Sequence, residues 1–319
     1  MENQTFNPDL LQVEGLKVTP ETAIPAFIIL LLFYIFIMVS NVGLVVLIST
    51  DPSLHQPMYL LLCNMSVNDA FGASIIIPRL LSDIFLPISA RFIRYSECVV
   101  QAFSAHLHAS CVHTVMMIMA FDRYVAICNP LRYAVIMTGR MVLKLSLSAW
   151  TVSLVLVLIL IGLSVRLSRC RFVVSHPFCD NASLFKLSCE SVVINNFYGL
   201  TFTVVLLSSS LGSITLTYLK IAVVCLRSRS EVLNRRALQT CATHLAVYTL
   251  MFVSGFSIVI LHRFPQLSDH RKLASILFHV VPPAMNSIIY GLQIKVVRQK
   301  ILIMFGKTLF KNSKTLYSY

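Results

Sequence analysis

Met119-Ala120-Phe121-Asp122-Arg123-Tyr124-Val125-Ala126-Ile127-Cys128-Asn129-Pro130-Leu131-Arg132-Tyr133 is the stretch on which the reading of this chain turns. It closes a run of about twenty mostly apolar residues, the length a helix needs to cross a bilayer. There Asp122 and Arg123 stand side by side, followed by a Cys128-Asn129-Pro130 break and by Arg132. Ionisable groups at membrane depth are expensive unless paired or hydrated. The stretch therefore reads as a membrane helix reaching a basic membrane edge.

The totals agree. Of 319 residues, 57% are hydrophobic and only 12% are charged, with a mean hydropathy of +0.79. A soluble domain carries about 25% charged residues. The net charge is +13. A nucleic-acid binder would gather those bases on a soluble domain; here they fall between apolar runs, which points to a membrane surface and to lipid rather than nucleic acid.

Seven apolar runs are long enough to span: 26–49, 58–86, 98–127, 141–165, 196–226, 240–262 and 273–294. The fold expected is an all-α membrane protein, a seven-transmembrane helix bundle with a short amphipathic eighth helix. Residues 1–25 form an N-terminal tail, 26–294 a single transmembrane domain, and 295–319 an amphipathic helix and tail. The first 25 residues are polar, so the first run is expected to stay as an anchor rather than leave as a signal peptide. No repeat is visible, and the halves do not match as an inverted pair would.

Lys/Arg bias sets the orientation. With the N-terminus outside, the inner side holds fifteen bases against three acids, Asp51, Asp122 and Glu231; the outer side holds eleven bases against nine acids. An odd number of spans then places the C-terminus in the cytoplasm. After the seventh run, Val296-Val297-Arg298-Gln299-Lys300-Ile301-Leu302-Ile303-Met304-Phe305 alternates apolar and basic residues at near-helical spacing, as a helix lying on the inner leaflet would.

Four of the nine cysteines, Cys98, Cys170, Cys179 and Cys189, face the oxidising side, so disulfides are expected. Spacing leaves all three pairings open. Cys63, Cys111, Cys128, Cys225 and Cys241 are expected as free thiols. Of three glycosylation sequons, Asn3-Gln4-Thr5 lies on the outer tail and is the good acceptor. Asn181-Ala182-Ser183 is wedged beside Cys179, and Asn64-Met65-Ser66 is inside a span.

With seven spans, an outer cysteine opening the third and Asp122-Arg123-Tyr124 closing it, the chain resembles a rhodopsin-like G-protein-coupled receptor. Met119–Tyr133 resembles the odorant receptor signature more narrowly. Other pieces resemble that family in order: Leu54-His55-Gln56-Pro57-Met58-Tyr59, Cys170…Cys179-Asp180…Cys189, Arg236-Ala237-Leu238-Gln239-Thr240-Cys241-Ala242-Thr243-His244, and Pro283-Ala284-Met285-Asn286-Ser287-Ile288-Ile289-Tyr290. His262-Arg263-Phe264 and Pro282-Pro283 look like its fish-like branch. The resemblance implies Cys98 paired with Cys179 and Cys170 with Cys189. Three positions depart from the pattern: Ser287 stands where proline is usual, Phe252 where tyrosine is usual, and Ser40 where glycine is usual.

The resemblance implies a receptor that binds a small odorant between the outer halves of the helices and activates a heterotrimeric G protein of the stimulatory olfactory type at the plasma membrane. Asp122 and Arg123 would pair in the resting state, and Arg123 would release toward the G protein when span six swings out. Tyr124 belongs to the same cluster, and Tyr218, His244 and Tyr290 can offer alternative bonds. The bland reading of Arg123 is a basic residue snorkelling at a helix end. Asn41, Asp69 and Asn286 are polar groups deep in spans one, two and seven and need partners. They read as a shared network or as plain interhelical bonds.

Helical spacing from Cys98 puts His106, Ala109, Ser110 and His113 along one face of span three. Phe202, Leu206, Phe252, Phe256, Val259 and His279 are the facing candidates for ligand contact, though in any bundle such residues can be simply core. Arg263 could grip a carboxylate bidentately, which would make the odorant polar or acidic. His106 and His113 lie about 10 Å apart along the axis, too far to share an ion. No metal, cofactor or enzymatic constellation is expected. The rival readings are a non-olfactory chemosensory receptor of the same fold and a transporter or channel. The latter predicts a polar ring or broken helices along a pore, and the sequence shows neither.

Overall fold

The computed structural model describes residues 9–228, 231–261, 264–293 and 297–300. Seven long helices carry the chain: span one, Pro20–Thr50; two, Pro57–Asp83; three, Tyr95–Cys128; four, Gly139–Val165; five, Val193–Arg227; six, Glu231–Leu261; and seven, Ser268–Gln293. Each contains a stretch long and apolar enough to cross a membrane. The protein is a seven-helix, multi-pass membrane bundle.

The helices start ahead of the apolar runs that announce them, because capping chemistry sets a helix end while hydropathy marks only the hydrocarbon. Span one starts at Pro20 rather than 26. Thr19 and Thr22 close a capping box there, and the proline occupies the first turn, where its missing N–H is not needed. Span four starts under Thr138, whose hydroxyl accepts from Met141 N. Span six starts at Glu231, ahead of its apolar run at 240.

Spans two, three and seven form the centre. In the most apolar window of span seven 61% of residues are buried within the bundle, against 11% in span five, whose apolar side chains face outward. That outward apolar surface is what lipid contact requires, since lipid, unlike water, does not penalise it. One core cluster gathers Leu62, Met65, Met116, Met119, Val247, Met251 and Tyr290 from spans two, three, six and seven. It lies toward the end of the bundle that carries Arg123, Arg132 and Arg140, here the arginine end.

The opposite end, here the disulfide end, holds a three-stranded sheet in the order β2-β1-β3. Strand β1 is Leu10–Val13, β2 is Phe92–Arg94 and β3 is Val173–Val174. The N-terminal strand lies in the middle, antiparallel to β2 with Leu11 opposite Ile93, and parallel to β3 with Gln12 opposite Val173. Arg91 clamps the chain beyond it, donating from Nη1 to Glu14 O at 2.6 Å and Leu16 O at 3.1 Å. Gly15 between them has φ 67°, and a Cβ there would meet that guanidinium at 2.6 Å. Glycine alone suits the turn. Lys272 of span seven then pairs with Glu14 at 2.8 Å. Residues 9–17 of the segment expected as a tail are thus built into this end.

Both disulfides fall as the resemblance implies, Cys98–Cys179 and Cys170–Cys189. The five other cysteines are free. Of the expected eighth helix, residues 297–300 are helical. There Val297 is buried, and Lys300 pairs with Asp51 at 2.5 Å. The rest of that amphipathic segment lies outside the described residues, as do Asn3 and Arg263.

Candidate functional site

The cavity at the disulfide end is shaped by a loop pulled into the bundle. The Cys98–Cys179 bridge fixes the loop to the start of span three. Cys179 N donates to Gln101 Oε1 at 2.9 Å, and Gln101 Nε2 donates onward to Ile75 O of span two at 3.1 Å. Asp180 caps a short helix, Asn181–Phe185, accepting from Ser183 N at 2.7 Å and Ser183 Oγ at 2.5 Å. Burial alone would raise its pKa. The nearby His176 and these bonds outweigh that and hold the carboxyl down at about 2. Asn181 N donates to His106 Nε2 at 3.1 Å. Its side chain accepts from Ser164 Oγ at 2.6 Å, and Asn195 Nδ2 donates to the same Ser164 at 3.1 Å. Asn181 is buried in this network. Asn64 is engaged as well, by Trp150 Nε1 at 2.8 Å.

Beneath the loop a cavity of about 180 Å³ opens between spans three, five, six and seven. Of the residues singled out in the sequence, His106, Ala109, His113, Phe202, Leu206, Val259 and His279 line it. Ser110, Phe252 and Phe256 do not. Ser110 is fully buried in the helix packing, while Phe256 is 45% exposed and stacks on Phe252 at 5.8 Å. Span six presents Gly255, Ile258 and Val259 instead. Sequence reasoning passed over Phe178 and Asp180, which the loop delivers, and Thr203, Ser275 and Phe278. The signal available for the first two was their position on either side of Cys179.

At the arginine end, Asp122 is 1% exposed and accepts from Tyr133 Oη at 2.8 Å. Among the described residues no ion pair joins Asp122 to Arg123, since neighbours one apart point to different sides of a helix. Tyr218 Oη and His244 Nδ1 share a 2.7 Å bond between spans five and six. Lys220 lies over the Tyr124 ring at 5.7 Å. The Tyr290 hydroxyl and His244 Nε2 are buried with no partner among the described residues.

Midway between the ends, Asn286 Nδ2 donates to Asp69 Oδ2 at 2.8 Å, joining spans two and seven. Asn41 donates to Ile37 O at 3.0 Å and Pro283 O at 3.4 Å, so it joins span one to seven without touching Asp69 directly. Beside it, Ser40 Oγ donates to Ser287 Oγ at 2.9 Å. The two serines that depart from the family pattern bind each other.

Comparison with known proteins fits this arrangement. A family model described as olfactory receptor matches residues 30–308. Olfactory receptor 5H1 of Homo sapiens is 32% identical over 317 residues, 99% of each chain. Olfactory receptor 52P1 of Homo sapiens is 33% identical over 271 residues, 84% of each chain. Olfactory receptor 5G9 of Mus musculus is 30% identical over 311 residues, 97% of each chain.

Proposed function

The chain belongs to the olfactory receptor family, and from that premise we propose how this odorant-sensing G-protein-coupled receptor of the plasma membrane divides its work. A small, mainly apolar odorant occupies the cavity under the disulfide-tied loop, and the arginine end engages a stimulatory, olfactory-type G protein. The N-terminus lies outside and the C-terminus in the cytoplasm. The observation that carries this reading is that one helix serves both ends. Span three lines the cavity with His106 and Ala109 and reaches the Asp122–Arg123 pair about 20 Å further along its axis.

The mechanism is a shift of population. An odorant that binds the active arrangement better than the resting one moves the balance by that difference in affinity and by nothing else. In the resting arrangement the Tyr133–Asp122 bond ties the segment after span three back to that span, and the Tyr218–His244 bond ties span five to span six. Outward movement of span six breaks the second and frees Arg123 for the G protein, while the unpartnered Tyr290 hydroxyl and His244 Nε2 take up new bonds. Asn3 carries the glycan and Asn181 does not.

The test is odorant-triggered cAMP in cells supplied with a stimulatory G protein. Arg123→Ala is expected to abolish the response at normal surface level. An N-terminal epitope is expected to stain on intact cells and a C-terminal one only after permeabilisation. A current without G protein, or the reverse staining, defeats the reading.

A further inference from the structure

Resting on the odorant-receptor reading above, we propose that the cavity selects molecules whose polar end donates a hydrogen bond, an alcohol or an amine, and that His279 Nε2 is the acceptor that reads it. His279 is 6% exposed and lines the cavity from span seven. Its Nδ1 lies 2.8 Å from Ser275 O. A carbonyl oxygen only accepts, so the ring proton is on Nδ1. A neutral imidazole carries one N–H, which leaves the lone pair on Nε2. Nε2 is buried and finds no partner among the described residues. The ring is held by its neighbours, with Phe278 at 5.1 Å, Phe178 at 5.4 Å and His108 at 5.6 Å between centroids. An unmatched buried acceptor is unfavourable, and a ligand proton that meets it recovers the loss.

The rest of the lining points the same way. Thr203 donates its hydroxyl proton to Gly199 O at 2.8 Å, and Ser275 donates to Arg271 O at 2.9 Å, so both oxygens face a ligand as acceptors. Among the described residues Asp180 is the one lining residue with a formal charge, and no described Lys or Arg joins it there. A carboxylate ligand meets repulsion from Asp180, and an ether leaves Nε2 unmatched. His106, whose Nε2 accepts from Asn181, keeps its own N–H on Nδ1, so a hydroxyl that both donates and accepts suits the lining best. The cavity's small volume limits the apolar part to a short chain or single ring.

The experiment compares hexanol, hexylamine, methyl pentyl ether and hexanoate as ligands of the purified full-length receptor, read as thermal stabilisation against concentration. Hexanol or hexylamine is expected to stabilise at a concentration at least about tenfold below the ether and hexanoate. His279→Gln, which keeps an acceptor near the Nε2 position, preserves that ranking; His279→Phe, which keeps the ring, erases it. Asp180→Asn, still able to cap its helix, is expected to weaken hexylamine, an ammonium cation at neutral pH, more than uncharged hexanol; an equal loss for both would show that the Asp180 charge does not face the ligand. The proposal is overturned if the ether or hexanoate binds as well as the donors, as an Arg263 anchor would predict for hexanoate. It is equally overturned if no member of the series stabilises, or if His279→Phe keeps the ranking. Stabilisation by the donors without a cAMP response sinks the coupling reading and leaves this one standing; a cAMP response blind to the donor does the reverse.

Discussion

Between the disulfide end and the arginine end the ties change in kind. At the first, two disulfides, a three-stranded sheet and the Gln101, Asn181 and Ser164 bonds fasten loops to helices. At the second, among the described residues, the polar ties are single side-chain bonds around a packed apolar cluster, Tyr133 to Asp122, Tyr218 to His244 and Lys300 to Asp51. Covalent closure and sheet pairing keep a cavity's shape; single side-chain bonds can be exchanged. The proposed function calls for that division, because an end that recognises must be preorganised and an end that signals must be bistable.

The comparison can be broken from either side. The largest effect belongs to the covalent tie. Cys98→Ser removes a bridge of a kind worth about 2–4 kcal/mol and lets Phe178 and Asp180 leave the cavity, so surface expression and thermal stability should both fall sharply. A variant that reaches the surface and binds odorant normally would show that the loop needs no staple. Next comes Tyr133→Phe, which strips the Tyr133 hydroxyl donor from buried Asp122. Bonds to charged groups contribute about 1.5–3 kcal/mol, so basal cAMP should rise roughly tenfold or more. Tyr218→Phe deletes a bond of ordinary strength, about 1 kcal/mol, and should raise basal cAMP about fivefold. Unchanged basal signalling in both would mean these bonds do not restrain the arginine end.

Ser40→Ala and Ser287→Ala probe the middle. Each should cost under about 1 kcal/mol, and the double variant should cost less than the sum of the two, because the Ser40–Ser287 bond is shared while each serine also bonds a backbone carbonyl of its own helix. Additive losses in a thermal melt would show that the serines act separately. The smallest effect concerns acid. Asp180 is held near a pKa of about 2, below its unfolded value of about 3.9. Its contribution to stability is therefore complete above about pH 4 and is lost as pH falls toward 2. Acidifying the medium to about pH 5 should leave its charge unchanged, and a potency change that survives in Asp180→Asn belongs to another group.

The same contrast explains what the sequence made legible. The seven spans were readable because each is a long apolar run, and the helical repeat from Cys98 phased span three well enough to bring His106, Ala109 and His113 to the cavity. Span six lacks such an anchor. Its face was phased one position off, so Phe256 faces outward while Gly255 and Ile258 face in. Phe178 and Asp180 were invisible because a disulfide, and no local pattern, carries them inward. The strands are two to four residues long, too short for alternation to register.

Strand β1 has one more consequence. It is the middle strand, yet its neighbour β3 lies about 160 residues later, beyond the fourth span. Residues Leu10–Val13, among the earliest to leave the ribosome, therefore cannot reach their final place until more than half the chain has been made. Translation runs from one end to the other; assembly of this end closes on its beginning, and a chain halted before β3 leaves β1 with one edge open.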